Sequence, residues 1–286
     1  MLLGGRHWLN TRYINYRLGP QGQYFFQDAD GIIRTENVLC ELKPDETGVL
    51  KAVESSFRRI KDLSVFQIRH LSTMSEGWED IRLFVSSEGK GRFVATNVNR
   101  NIHNFPQMAV GDYCVQTATI SQVSMVDSPQ YEKNWIPWKD QEYIYKWKTD
   151  GIVFRSWGPT SDPLSERMVP YPKPNALLAK ARGSSVFVDY TGFILSESSA
   201  QHKVGVVHYS REGSPRKYVH FLVVLNAEDG SVVQHSQPFY FRHLSVEFCT
   251  GFYMCPNNFF HFWISQMDRE PLYCVAEESA FTWIKM

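Results

Sequence analysis

Apolar and polar residues alternate along most of this chain in short runs broken by turn-forming residues, the pattern of half-buried strands. Tyr13 to Arg17 and Gln23 to Phe26 flank a Gly19-Pro20-Gln21-Gly22 turn, and Asp28-Ala29-Asp30-Gly31 turns the chain into Ile32 to Leu42. Ile81 to Ser86 and Arg92 to Asn97 are joined by Glu88-Gly89-Lys90-Gly91, and Tyr113 to Met125 alternates apolar residues with Thr and Ser. Glu142 to Trp147 and Ile152 to Phe154 pair around Thr149-Asp150-Gly151. Beyond Ser185 turns are expected at residues 189–192, 211–215, 227–230, 256–258 and 267–271. One segment breaks the rhythm: Val49, Leu50, Val53, Phe57 and Ile60 recur at helical spacing and predict a short amphipathic helix over residues 46–61. Residues 158–174 hold Pro159, Pro163, Pro170, Pro172 and Pro174, which predicts a long surface loop or lid, not a domain linker.

The strand rhythm is the same on both sides of that loop, so residues 1–286 read as a single all-β domain. On the order of 16 to 20 short strands, with turns about every 8 to 12 residues, indicate a sandwich or a repetitive β architecture. About five blades of four strands would take roughly 50 to 60 residues each. The expected fold is therefore a five-bladed β-propeller of divergent blades, because no segment repeats literally.

Composition narrows the function classes. Lys plus Arg and Asp plus Glu are 30 each, a balance that argues against a general nucleic-acid partner. Eight Trp, 14 Tyr and 19 Phe make an aromatic share of 14%, which favours strands and supplies platforms for flat apolar faces such as sugar rings. The five cysteines are scattered without the paired spacing of a zinc site, so free thiols in a cytoplasmic setting are expected and no metal or cofactor is. No apolar run is long enough for a membrane span, and residues 1–7 do not read as a signal peptide.

The stretch with most chemistry is Gly77-Trp78-Glu79-Asp80-Ile81-Arg82, two adjacent carboxylates between an indole and a guanidinium, leading into Leu83-Phe84-Val85. On a regular strand Asp80 and Arg82 share one face, and Glu79 and Ile81 the other. The pair is either a structural ion pair or half of an acid-plus-anion site.

Several clusters together resemble the inverting β-mannoside phosphorylases and mannosyltransferase-phosphorylases. Glu79-Asp80-Ile81-Arg82 is similar to that family's Glu-Asp-Pro-Arg motif, with Ile81 in place of the proline. Glu132-Lys133-Asn134-Trp135 resembles its Lys-Asn segment, and Arg182-Gly183-Ser184-Ser185 its Gly-rich strand start. The stretches 205–209, 217–225, 246–251 and 264–268 resemble later strands, in order. The resemblance implies a five-bladed β-propeller with its site at one end of the central channel. It makes Asp80 the proton donor, acting through a sugar hydroxyl, and Arg82, Lys133, Asn134 and His208 the phosphate or donor contacts. Arg17, Trp78, Trp135, Tyr218, His220, Glu247 and Asp268 become candidate sugar contacts, with Trp78 and Trp135 as stacking platforms. Taken singly, His208 also reads as a satisfied strand histidine, Lys133 as a solvated turn charge and Asp268 as a turn former.

The implied partners are an oligosaccharide or glycan acceptor and phosphate, a sugar phosphate or a sugar nucleotide. The leading expectation is inverting glycosyl transfer or phosphorolysis of β-mannoside-like linkages. A hydrolase on the same propeller is the runner-up. It needs a base, Glu247 or Asp268, about 6.5 to 9.5 Å from the acid. The third reading is a glycan-binding propeller without catalysis.

Overall fold

The computed structural model describes residues 1–66, 68–158, 164–190, 192, 200–211, 213–255 and 257–286. The protein is all-β, with five multi-stranded sheets in chain order, a five-bladed β-propeller. The helical segments among the described residues are three short 3-10 turns, Glu54–Ser56, Leu178–Lys180 and Glu278–Ala280. Among the described residues no helix is long and apolar enough to cross a membrane. The five cysteines are free thiols.

Two compact units divide the chain: residues 1–17 with 24–133, and residues 18–23 with 134–286. The first unit holds two sheets. In one, Arg6–Ile14 and Ile33–Pro44 form the long central pair, flanked by Leu2–Leu3 and Leu50–Ala52. In the other, Glu79–Val85, Gly91–Asn97, Gln107–Cys114 and Thr119–Met125 form an antiparallel meander. Trp8 and Leu39 of the first sheet meet Ile81, Leu83, Phe93, Ala109 and Ile120 of the second in one buried cluster.

The second unit holds three sheets. Ile136–Lys139, Glu142–Trp147, Gly151–Ser156 and Ser165–Pro170 form the first of them. His202–Arg211, Lys217–Asn226 and Val232–Ser236 form the next, joined by the C-terminal strand Trp283–Lys285. Glu247–Met254, Phe259–Gln266 and Glu270–Glu277 form the last. The run Phe221-Leu222-Val223-Val224-Leu225 is wholly buried because both faces of its strand are covered. Phe221, Val223 and Leu225 pack towards Ile136, Trp138 and Phe154, while Leu222 and Val224 pack towards Phe252, Phe260 and Phe262. Each such side chain contributes about 1.5 to 3 kcal/mol relative to its exposed state.

Two elements differ from expectation. No helix forms over residues 46–61. Leu50–Ala52 and Arg58–Arg59 instead pair with Ile33–Pro44, and Lys61–Asp62 pairs in parallel with Thr119–Met125. A turn at Asp45, whose carboxylate accepts the Thr47 and Val49 amides, starts this path. A solitary helix of this length is marginal, whereas the open edge of a 12-residue strand satisfies the same backbone groups. The second difference concerns the proline-rich stretch. Residues 159–163 lie outside the described residues, but Ser165–Pro170 is a strand paired along Gly151–Ser156. Pro170 stands at the end of that strand, where a proline is tolerated. The turns expected at 189–192, 211–215 and 256–258 each include a residue outside the described set, namely Thr191, Glu212 and Pro256.

Candidate functional site

Within the first unit, the approach to Asp80 is fixed before the acid is reached. Gly77 has φ +92°, and a Cβ placed there would lie 2.2 Å from the Thr35 carbonyl oxygen, so only glycine fits. Its own carbonyl accepts the Asn97 amide (2.8 Å), and the next carbonyl, of Trp78, accepts the Asn37 amide (2.9 Å). The Trp78 indole donates to Asp62 (2.9 Å) and packs against Phe66 and Phe93. Gly77→Ala is therefore expected to destabilise the protein by about 2 kcal/mol or more, through backbone overlap and a strained φ. A thermal-melting midpoint equal to that of the parent protein would contradict this.

The strand then breaks its own alternation. Its register passes from Glu79 opposite Thr96 to Arg82 opposite Val94, leaving an extra residue on this strand, and Asp80 takes φ +53°. Such a bulge re-aims side chains, and left-handed non-glycine residues collect at functional sites. The expected two-face separation of Asp80 with Arg82 from Glu79 with Ile81 therefore does not hold. Both carboxylates are turned into one polar cluster. Asp80 Oδ1 accepts from Arg12 Nη1 at 2.9 Å, with both side chains about a fifth exposed (19% and 24%). Glu79 accepts from the Ser75 hydroxyl (2.8 Å) on one oxygen and from Lys133 Nζ (3.2 Å) on the other.

Arg82 has a different place from the one expected. It is 1% exposed, and its Nη1 donates to the Asp80 main-chain carbonyl (3.3 Å). Burial pulls its pKa down, and the Asp80 charge resists that. Arg82 therefore positions the acid's backbone from behind, and the exposed cations of the cluster are Arg12 and Lys133. Burial pushes the Glu79 carboxyl up, but Lys133 and Arg12, helped by the Ser75 hydroxyl, outweigh it and hold Glu79 below the usual carboxylate range. Glu79 is thus an anion at neutral pH. Arg12 and Lys133 thus each meet one of the two carboxylates.

The candidates on the second unit are mostly spent on structure. His208 is 2% exposed, bonds Ser184 Oγ through Nδ1 (2.7 Å) and packs against Tyr218 and Phe248, the surroundings of a satisfied strand histidine. Trp135 is fully buried against Tyr143 and Tyr145, beneath the Arg155 guanidinium. Trp78 is likewise interior, so neither indole offers a face for a sugar. His220 is fully buried beside Phe239 and Phe241. Its pKa falls to about 3 because burial disfavours the imidazolium, with only a weak backbone contact from Glu247 pulling the other way.

Glu247 is also fully buried, and its carboxylate accepts the amides of Phe241, Arg242 and His243 at 2.8–2.9 Å. That ties down a loop and occupies both carboxylate oxygens. Asp268 sits with Met267 at positive φ in a hairpin turn closed by Arg269 N–H to the Gln266 carbonyl (3.0 Å), the turn-former reading. Asn134, at φ +64°, and Tyr218 are partly exposed. Arg17 of the first unit is exposed, with its guanidinium 5.2 Å from the Phe25 ring.

No protein-family model and no curated protein matches the chain. Among solved structures, a mannose phosphorylase from Leishmania mexicana, in complex with a phosphate ion, is similar at 11% identity and TM-score 0.44. That match covers 97% of this chain and 81% of the other. A hypothetical protein from Leishmania major is 10% identical with TM-score 0.30, over 78% and 92% of the two chains. NanB sialidase from Streptococcus pneumoniae is 13% identical with TM-score 0.41, and the match takes in 98% of this chain but 43% of the sialidase. At such distances the chemistry has to come from the residues themselves.

Two members of the first unit's cluster were not among the candidates drawn from the sequence. Arg12 lies 68 positions from Asp80 and Ser75 four from Glu79. A lone arginine in an aromatic strand gives no sign of its partner until the two sheets are packed.

Proposed function

We propose that the Arg12–Asp80–Lys133–Glu79 cluster is the acid-plus-anion site of an inverting carbohydrate-active enzyme, one that exchanges a hexosyl group between phosphate and a glycan acceptor at a β-mannoside-like linkage. The observation that carries this reading is the meeting of Arg12 and Lys133 at adjacent carboxylates, one of them partly exposed and held on a strained bulge.

Phosphate is a poor nucleophile until donors orient it, and a guanidinium suits a two-point grip on its oxygens. Seated between Arg12 and Lys133, a phosphate dianion would displace the Arg12–Asp80 ion pair. Asp80 would then lie beside the bound phosphate. In the phosphorolytic direction a phosphate oxygen attacks the anomeric carbon and the glycosidic C–O bond breaks. The departing oxygen takes the proton that originates on Asp80. Glu79, ionised at neutral pH, holds Lys133 in place and does not serve as the acid.

Incubation with mannose 1-phosphate and a mannose acceptor is expected to release inorganic phosphate and lengthen the acceptor. With a β-mannobiose, mannose 1-phosphate should form only when phosphate is present. Free mannose formed at the same rate without phosphate would replace this reading with the hydrolase. Turnover of neither substrate would leave glycan binding alone.

A further inference from the structure

Two loops of the first unit are locked together beside the strand Gln107–Cys114. Asn101 holds the first from inside: its amide donates to the Asn97, Val98 and Phe105 carbonyls (2.8–3.3 Å), and its oxygen accepts the His103 amide (3.0 Å). Gln107 is fully buried and ties in the second, its side-chain amide donating to the Ser128 and Gln130 carbonyls, both at 2.9 Å. The Glu132 main-chain amide donates to the Pro106 carbonyl (3.0 Å), and its buried carboxylate accepts from Ser128 Oγ (3.0 Å).

On this frame His103, Phe105 and Tyr131 stack in succession. The His103 and Phe105 centroids are 4.9 Å apart with planes at 21°, and those of Phe105 and Tyr131 are 4.7 Å apart with planes at 27°. His103 Nε2 meets Asp127 at 2.8 Å, which holds the first ring at its edge. Tyr131 is 73% exposed although Phe105 covers one face of its ring, so the other face is presented outward. A single exposed tyrosine is ordinary. One backed by two rings and anchored through buried amides is a rigid flat surface. Glu132, the next residue, is 3% exposed, and Lys133 after it is exposed again, with Nζ on Glu79. Tyr131 and Lys133 thus leave the surface on either side of one buried residue, their main chains about 7 Å apart at most.

We infer that Tyr131 is a stacking subsite for the acceptor glycan, holding a neutral pyranose ring beyond the sugar that reacts. The assignment rests on the reading of the Arg12–Asp80–Lys133–Glu79 cluster as the active site. Phosphate and the reacting hexose occupy that cluster, and the following sugars of the glycan pass over the adjacent ring. A pyranose has an apolar C–H face and a polar edge, which suits a phenol face with a hydroxyl at its rim. The charges on these loops favour a neutral occupant. Arg100 is paired with Asp62, Asp127 with His103 and Lys133 with Glu79, and Glu132 is buried. Arg69 is exposed one residue ahead of His70, whose ring bonds the Asn101 carbonyl at 2.8 Å. One such cation does not make the track that a phosphate backbone needs. A ring already held in its stack loses little freedom on binding, which favours affinity.

The test is calorimetric titration of the Asp80→Asn protein, which binds substrate with little turnover, in phosphate buffer. The probes are mannose and β-mannotetraoses of each linkage position. At least one tetraose is expected to bind more tightly than mannose. Adding Tyr131→Ala should weaken that tetraose about tenfold. Tyr131→Phe keeps the ring face and loses only the hydroxyl, so its affinity should stay within about threefold of the parent. Circular dichroism melts establish that each variant is folded, and the phenylalanine substitution keeps the stack intact for comparison. Equal tetraose affinity in Tyr131→Ala and its parent overturns the proposal, even where the wild type transfers mannose as expected. So does a protein that binds no tetraose. Should the wild type transfer no mannose while tetraose binding still depends on Tyr131, the active-site reading fails and the stacking subsite stands.

Discussion

Asp80→Asn is expected to abolish nearly all transfer between mannose 1-phosphate and its acceptor, a fall in kcat of about a thousandfold, or ~4 kcal/mol in barrier. The substitution is mild in every respect but one. Asparagine tolerates the left-handed φ of +53° as well as aspartate does, and its amide oxygen still accepts from Arg12. The melting temperature should therefore hold while the proton is lost. If the missing element is the proton, the deficit must shrink with leaving groups that need little protonation. Rates on an aryl mannoside with a strongly acidic phenol should recover most of the loss, whereas those on a mannobiose should not. A variant within about threefold of the parent on mannobiose would remove Asp80 from the acid's role.

The second large effect concerns acid stability. His220 is fully buried among phenylalanines, and its pKa in the folded protein is about 3 against about 6.5 unfolded. The unfolded chain therefore binds a proton between these values that the folded one refuses. Stability is complete above pH 6.5 and declines as pH falls towards 3, by about 4 to 5 kcal/mol at the lower end. His220→Phe removes this penalty and suits the Phe239 and Phe241 neighbours in shape. Urea unfolding at pH 7 and pH 4 should show a smaller gap in the variant, with stability at pH 7 unchanged or raised, since ring nitrogens without hydrogen bonds of ordinary geometry are removed. Glu79 works in the same direction lower down, below about pH 4, where its depressed pKa is reached, and is common to both proteins. Identical pH dependence in parent and variant would show that His220 is hydrated in solution.

The architecture was legible because its signals are local. Alternation and turn residues mark strands such as Gly91–Asn97 and Glu142–Trp147 within a residue or two, and the strand count fits five blades. The helix expected over residues 46–61 shows the limit of periodicity. The same apolar spacing serves two short edge strands once a long neighbour offers its ladder, and a third short strand pairs with another sheet. The site was legible only in part. The pairing of acid and base residues at positions 79–82 was visible, but the bulge that redirects them was not, because it depends on the partner strand's register. Residue type alone likewise could not tell a ligand-facing histidine from one bonded to Ser184, or an available carboxylate from Glu247 with its three amides. Burial decides these, and burial is a property of the packed sheets.

The Asn37 and Asn97 amides that grip the two carbonyls ahead of Glu79 have one more consequence. Neither group titrates, and neither attraction is screened by salt as an exposed ion pair is. High ionic strength should therefore loosen the hold of Arg12 and Lys133 on an anion, yet leave the acid's main chain where it is. Salt would then act on how tightly phosphate is bound and scarcely on how fast bound substrate reacts.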